Sequence, residues 1–345
     1  MPRGVTMDEQ IKQALAAVAG QFADKRVHVC QVEVTAVTDG RITLAGAVLD
    51  EVTLTAVLSH LAATCPEYAL DATAVTILRP PDRAKLAVCT TITGLYNSPG
   101  FLSEPGSYLL NGMRLEPLRA DGRWLFVRQE DGYLGWVYEP YLGDDPSAVP
   151  THLVCEPVAL LRQGPDEKAA LVNRVLAGTA VAITDEQNDW QHITWAGLPG
   201  GWLPAPHLRP LAGLPQTAAA QRAQLVADAP RFTGVPYLWA GISGYGIDCS
   251  GYVQLLYRLA GLTLPRDADM MFAAGQPVEP PYRPGDLLFF GSEGGHRHIS
   301  HVGLSLGGWQ MIHSSRSRNG VFVDEVTAVP HLRDTFAGAR SFLKD

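Results

Sequence analysis

The sequence has few cysteines and no long hydrophobic run. The five cysteines are scattered along 345 residues, are odd in number and lack the spacing of metal ligands. They are Cys30, Cys65, Cys89, Cys155 and Cys249. We therefore expect a reduced compartment and no bound metal, although a disulfide among the first four stays open. No run approaches eighteen apolar residues, so we expect no transmembrane helix.

An excess of positive charge is also missing. Asp and Glu number 35 against 27 Lys and Arg, which gives a formal net charge of −8. This balance argues against nucleic acid or an anionic membrane as a partner. The apolar stretch in residues 1–20 is interrupted by Asp8, Glu9 and Lys12, so it predicts an amphipathic helix and not a signal peptide. We accordingly expect a cytoplasmic protein, and no feature predicts its oligomeric state.

The length is sufficient for two to four domains. Residues 1–80 predict a small α+β module in the order α-β-β-α-β. Its helices are expected near 8–23 and 50–64, and its strands near 27–38, 41–48 and 72–78. The Asp39-Gly40 pair between two strand-like runs is a strong hairpin signal. No catalytic motif is evident in this module.

An internal repeat with a period of sixty-six residues follows the module. Trp124 recurs as Trp190, and Gly135-Trp136-Val137 recurs as Gly201-Trp202-Leu203. Short strands between turn signals predict small β-barrels, and both segments resemble bacterial SH3 domains, over 84–145 and 150–212. We expect Trp124 and Trp190 in the barrel cores. For the two Gly-Trp pairs, a core role and a ligand-binding role both stay open.

The most informative residue is Cys249, which lies directly before the apolar run 252–259 and so in the first turn of a predicted helix. The N-terminus of a helix favours the thiolate form of a cysteine. His301 follows on a predicted strand, and His313 follows on the next. A cysteine that opens a helix and two polar rings on successive strands match a nucleophile, a general base and an orienting group.

Five sequence blocks surround these three residues. They are Pro236-Tyr237-Leu238-Trp239-Ala240-Gly241, Leu264-Pro265-Arg266-Asp267-Ala268, Arg283-Pro284-Gly285-Asp286-Leu287-Leu288-Phe289-Phe290, Ser300-His301-Val302-Gly303 and Met311-Ile312-His313-Ser314. In this order and spacing they resemble the NlpC-type family of papain-like cell-wall peptidases, over residues 213–345. The alternative is a buried inert cysteine with two core histidines, which the five blocks disfavour. The whole chain is therefore predicted to be a multidomain α+β protein with a C-terminal papain-like peptidase domain.

The resemblance implies a role for each member of the triad. Cys249 would attack the scissile carbonyl, and its backbone N–H would face the developing oxyanion. His301 would hold the thiolate as an ion pair and later protonate the leaving amine, while His313 would set the tautomer of His301. His296 and His298 rank below His301 because they lie in a Gly-rich loop.

The resemblance also implies residues that bind substrate. In family members with two SH3 domains, the positions of Asp248, Ser250 and Asp267 bind the free amine and backbone of the first substrate residue. Arg266 is either a surface or ion-paired residue or a partner for a substrate carboxylate. Tyr133, with Tyr138 behind it, is the candidate for a tyrosine of the first SH3 domain that caps the pocket.

The expected activity is a cysteine endopeptidase that cuts the bond between γ-D-Glu and a diamino acid in murein peptides such as L-Ala-γ-D-Glu-diaminopimelate. The expected partner is this peptide, no cofactor is implied, and the role would be recycling of released cell-wall peptides. The alternative is a secreted lysin whose SH3 domains bind the wall. A lipid-directed branch of the family is disfavoured because it permutes the motif order. The identity of the diamino acid stays open.

Overall fold

The computed structural model describes residues 7–80, 84–144, 148–291 and 299–344. Contacts between Cα atoms divide the chain into two compact units, residues 1–85 with 116–135 and residues 86–115 with 136–345. This division crosses the first predicted SH3 segment, and the bounds of the four predicted domains remain predictions. Within the described part, no helix is long and apolar enough to cross a membrane.

The N-terminal elements follow the predicted order α-β-β-α-β. They are α1 (Met7–Gln21), β1 (Cys30–Thr38), β2 (Arg41–Val48), α2 (Glu51–Thr64) and β3 (Ala69–Ile77). β1 and β2 form the predicted hairpin, whose turn residues Asp39 and Gly40 both have positive φ, as a type I′ turn requires. β3 joins β2 in parallel. Both helices and the sheet contribute to one buried core, which includes Ile11 of α1, Leu44 of β2 and Leu61 of α2.

Two seven-stranded sheets follow. The first contains β4 (Leu86–Val88), β5 (Ile92–Tyr96), β6 (Pro105–Leu110), β7 (Arg114–Asp121), β8 (Trp124–Arg128), β9 (Leu134–Tyr138) and β10 (Leu142–Asp144). The second contains β11 (His152–Val154), β12 (Val158–Arg162), β13 (Leu171–Leu176), β14 (Ala180–Gln187), β15 (Trp190–Trp195), β16 (Leu198–Pro204) and β17 (Leu208–Pro210).

The two sheets share one strand order. The first runs β10-β4-β7-β8-β9-β5-β6, and the second, read in the same direction, runs β17-β11-β14-β15-β16-β12-β13. Each position in one sheet thus holds the strand of equal rank in the other, which confirms the internal repeat. Trp124 and Trp190 begin β8 and β15 but are only half-buried, less than a core role would require. Trp136 is buried, whereas Trp202 is half-buried and packs edge-on against His192.

The C-terminal segment combines helices with one antiparallel sheet. Its elements are α3 (Ala218–Asp228), β18 (Ile242–Ser243), β19 (Gly246–Ile247), α4 (Cys249–Leu259), α5 (Ala268–Ala274), β20 (Gln276–Val278), β21 (Leu287–Gly291), β22 (Ile299–Gly307), β23 (Gln310–Ser315), β24 (Gly320–Glu325), α6 (Pro330–Thr335) and β25 (Phe336–Ser341). The sheet order is β20-β25-β21-β22-β23-β24. This arrangement confirms the predicted α+β segment.

Helix α4 is the element that carries the nucleophile. It begins after Asp248, whose carboxylate accepts a hydrogen bond from the N–H of Gly251 at 2.6 Å and so caps the helix. It ends where Gly261 adopts a φ of +80° and the N–H of Leu262 reaches the carbonyl of Tyr257 at 2.8 Å, as in a Schellman motif. Both ends of the helix are therefore determined by sequence.

Candidate active site

The start of α4 is held by two close contacts, one from strand β23 and one with the loop before β18. Ser314 Oγ donates to the carbonyl of Ile247 at 2.7 Å, two residues before the nucleophile. The Gly251 Cα passes so close to Gly241 that an added Cβ would lie 2.1 Å from the Gly241 carbonyl oxygen. Strand β23 is thereby placed directly behind the turn that presents Cys249.

Strand β22 lies beside the sulfur of Cys249. The backbone N–H groups of Val302 and Ser250 both face Sγ and lower the pKa of the thiol. Burial and the charge of Asp248 outweigh them, and they raise the pKa of Cys249 to about 12. Desolvation therefore opposes the helix N-terminus, which by itself favours the thiolate.

His301 and His313 are in direct contact, as their positions on successive strands predict. His301 Nε2 lies 2.6 Å from His313 Nδ1, and the two ring centroids are 4.8 Å apart. The contact occupies Nε2 of His301 and leaves Nδ1 as the nitrogen available to the nucleophile. Gly303 makes the approach possible, since an added Cβ there would lie 2.9 Å from the Cβ of His313.

Burial favours the neutral form of both histidines. Burial lowers the pKa of His301 to about 3, with smaller effects from the charges of His313 and His331. Burial also lowers the pKa of His313, whereas the hydrogen bond that its ring donates to Asp324 raises it. Burial thus favours a thiol and a neutral imidazole, and the predicted thiolate–imidazolium pair requires the transfer of a proton from Cys249 to His301.

Sequence reasoning missed Asp324 and Arg318. Asp324 Oδ2 lies 2.9 Å from His313 Nε2, and Arg318 Nη1 lies 2.7 Å from Asp324 Oδ1. Asp324 is placed there by the register of β23 and β24, in which Met311 is opposite Asp324 and His313 is opposite Phe322. His313 and Asp324 are therefore diagonal neighbours on one face of the sheet. This proximity follows from the pairing register of β23 and β24, which the sequence alone does not specify.

Arg266 forms a buried network around the nucleophile. Its Nη2 lies 2.8 Å from Asp248 Oδ2, its Nη1 2.8 Å from Ser250 Oγ, and its Nε 2.8 Å from Ser107 Oγ. The Arg266 side chain is only 1% exposed. The surface interpretation is therefore wrong, and the ion-pair alternative is the one present in the structure. A guanidinium committed to these partners is not placed to bind a substrate carboxylate.

The remaining candidates lie in different places. Asp267 follows Arg266 and precedes α5. Tyr133 is buried in the first compact unit, where its backbone N–H donates to Asp131 Oδ1 at 3.0 Å, and its capping role remains a prediction. His296 and His298 lie outside the described residues. Across the parts of the chain that are described, no three His, Cys, Asp or Glu side chains form a group able to hold a metal ion.

The arrangement supplies the components of nucleophilic acyl transfer. A thiol at a helix start, an imidazole oriented by a second ring, and backbone N–H groups beside the sulfur define a papain-like cysteine peptidase. The comparisons agree with this class. The model of the NlpC/P60 family matches residues 234–340, and that of the bacterial SH3 domain matches residues 158–209.

The sequence similarity to one known protein extends beyond the catalytic segment. A γ-D-glutamyl-L-lysine dipeptidyl-peptidase of Bacillus cereus is 31% identical over 251 residues, which are 68% of this chain and 74% of that protein. A protein of the same name from Bacillus subtilis is 40% identical over 112 residues, 32% of this chain and 38% of that protein. The chain belongs to the NlpC/P60 family and is a cysteine peptidase.

A solved structure shares the fold over most of the chain. The crystal structure of an NlpC/P60 family protein from Bacillus cereus aligns with a TM-score of 0.66 and 24% identity. The alignment covers 76% of this chain and all of that protein. At this identity the likeness concerns the fold alone.

Proposed function

We propose that this peptidase hydrolyses the bond between γ-D-Glu and the diamino acid of murein peptides that carry a free N-terminal L-Ala. The names of the two Bacillus relatives support the γ-D-glutamyl specificity. The observation that carries the proposal is one acidic residue directly before the nucleophile and a second that follows the arginine bound to the start of its helix. Asp248 directly precedes Cys249, and Asp267 directly follows Arg266, whose guanidinium contacts residues on both sides of Cys249.

The two carboxylates have different surroundings in the structure. Asp248 is paired with Arg266 and caps α4, the helix that carries Cys249. Asp267 is the N-cap residue of α5. We assign both carboxylates, with Ser250, to recognition of the first substrate residue, and Asp267 is the one to test because a change at Asp248 would also disturb the start of α4.

The expected selectivity follows from charge pairing. An ammonium held by a partly desolvated carboxylate gains a charge-assisted hydrogen bond, and its loss leaves the carboxylate unpaired. Such a loss costs on the order of 2–5 kcal/mol, or roughly thirty- to several-thousand-fold in the specificity constant. L-Ala-γ-D-Glu-L-Lys and L-Ala-γ-D-Glu-meso-diaminopimelate should thus be cut far better than their N-acetylated forms.

The test compares kcat/KM for free and N-acetylated tripeptides, with Cys249→Ala as the inactive control. Asp267→Asn should lower kcat/KM for the free peptide and so reduce the ratio of kcat/KM between the free and the N-acetylated peptide. Asp269→Asn, the same change two residues further along α5, is the matched control and should leave this ratio unchanged. Near-equal kcat/KM for free and acetylated peptides in the wild type would refute the proposed amine recognition.

Recycling of released peptides in the cytoplasm is part of the same proposal. A requirement for a free amine would exclude stem peptides that are still amide-linked to muramic acid. Intact sacculi should accordingly release little product under conditions in which the tripeptides are consumed. Rapid digestion of sacculi would instead favour a secreted wall-lytic enzyme.

A further inference from the structure

Four side chains are connected in series by hydrogen bonds behind the nucleophile. His301 Nε2 contacts His313 Nδ1 at 2.6 Å, His313 Nε2 contacts Asp324 Oδ2 at 2.9 Å, and Asp324 Oδ1 accepts from Arg318 at 2.7 Å. His313 is 1% exposed and its Asp324 neighbour 16%, so solvent does not compete freely for these contacts. This series of hydrogen bonds adds two residues, Asp324 and Arg318, to the expected triad.

The protonation states along this series follow from what each atom can donate. An ionised carboxylate only accepts hydrogen bonds, so His313 Nε2 must carry the proton in the contact with Asp324. A neutral His313 then has an unprotonated Nδ1, which can only accept from His301 Nε2–H. His301 is left with an unprotonated Nδ1, the form that can take a proton from Cys249.

We propose that Asp324 is a positioning residue that sets the tautomers of both histidines and so makes His301 a base toward Cys249. During acylation one proton moves from Sγ of Cys249 to Nδ1 of His301 as sulfur bonds to the carbonyl carbon. The proton then passes to the amine nitrogen as the C–N bond of the scissile amide breaks and the amine leaves. Asp324 gains no proton at any step, and its negative charge, relayed by neutral His313, stabilises the transient imidazolium.

The structure makes the asparagine variant unusually informative. Arg318 donates to Oδ1 and can only donate, so in Asp324→Asn the amide oxygen must face Arg318. The amide NH₂ must then face His313 Nε2, which reverses both tautomers and leaves a proton on Nδ1 of His301. Asp324→Ala removes the acceptor without imposing the reversed orientation. Asparagine should therefore be more harmful than alanine, although it is closer to aspartate in size.

The first readout is the rate of alkylation of Cys249 by iodoacetamide, together with kcat/KM. The alkylation rate needs no knowledge of the natural substrate, so failure here is distinguishable from failure of the murein proposal. In Asp324→Asn both rates should fall on the order of 10²–10⁴-fold, the range of general-base catalysis. In Asp324→Ala the fall should be smaller by a factor of at least about ten. Glu325→Gln, at the next position on β24, is the matched control and should retain wild-type rates.

A double variant tests the direction imposed by Arg318. In Arg318→Met/Asp324→Asn the amide is free to turn its oxygen toward His313, so at least tenfold of the lost alkylation rate should return. Methionine retains an unbranched stem beside Phe322, on whose ring the guanidinium lies at 4.2 Å. No recovery in the double variant, or equal losses for asparagine and alanine, would overturn the proposal.

The tautomers are observable in the wild type without any variant. In ¹⁵N-histidine-labelled protein, the Nε2 resonances of His301 and His313 should both have the shift of a protonated ring nitrogen. Asp324→Asn should move this shift to Nδ1 in both rings, a change that a merely structural role for Asp324 would not produce. A wild-type His313 protonated on Nδ1 would refute the proposal outright.

Discussion

Arg266 and Asp248 form a buried ion pair immediately before the nucleophile. Arg266 Nη2 and Asp248 Oδ2 are 2.8 Å apart, and the two side chains are 1% and 8% exposed. The same carboxylate caps α4 through the N–H of Gly251 at 2.6 Å. The pair therefore links the helix start that carries Cys249 to the segment that leads into α5.

Removal of Arg266 should be strongly destabilising. Arg266→Met leaves Asp248 buried without its counter-ion, which typically costs about 3–5 kcal/mol. The free energy of unfolding, measured by urea denaturation, checks this. Arg231→Met is the control because its ion pair with Glu156 is about one-third exposed and should be worth less than about 1 kcal/mol. Equal losses for the two variants would contradict a special role for the buried pair.

The two catalytic histidines should differ in sensitivity. His301→Ala removes the group that receives the proton of Cys249, so kcat/KM should fall about 10²–10⁴-fold. His313→Asn keeps an amide oxygen that can accept from His301 Nε2 and should cost less. Steady-state kinetics on a γ-D-glutamyl peptide would measure both. The reverse order would mean that the roles of the two rings are exchanged.

Because His301 is buried in its neutral form, the free energy of unfolding should decrease as the pH is lowered. The pKa of His301 is lowered to about 3, whereas an imidazole in the unfolded chain titrates near 6.5. Between these values the unfolded state binds the extra proton, so His301 costs up to about 1.4 kcal/mol per pH unit as the pH falls below 6.5. His301→Asn removes this contribution.

Thermal melting at pH 7.5 and pH 5 checks this sign. The difference in Tm between the wild type and His301→Asn should shift in favour of the variant at the lower pH. A difference that is unchanged between the two pH values would show that His301 titrates equally in both states. The same depressed pKa predicts that kcat/KM has no acid limb near pH 6.5.

The catalytic elements were largely predictable because their signals are local. A cysteine before an apolar helical run places α4, and alternating apolar residues place β22 and β23 with their histidines. Asp324 was not predictable, since its contact with His313 depends on strand register, which local patterning does not specify. The burial that raises the pKa of Cys249 was not predictable either, because burial depends on tertiary packing, whereas the helix N-terminus is visible in sequence.

Gly303→Ala should damage catalysis through the position of His313. An added Cβ would lie 2.3 Å from Met311 Sδ and 2.9 Å from His313 Cβ, so β23 must shift away from β22. We expect overpacking of about 1–3 kcal/mol and a loss of about ten- to a hundredfold in kcat, with a smaller change in KM. Gly164→Ala is the control, because its added Cβ would meet only Ala169 Cβ at 3.8 Å. Kinetics and urea denaturation of both variants provide the measurement, and wild-type kcat in Gly303→Ala would show that the spacing of the two histidines does not limit the reaction.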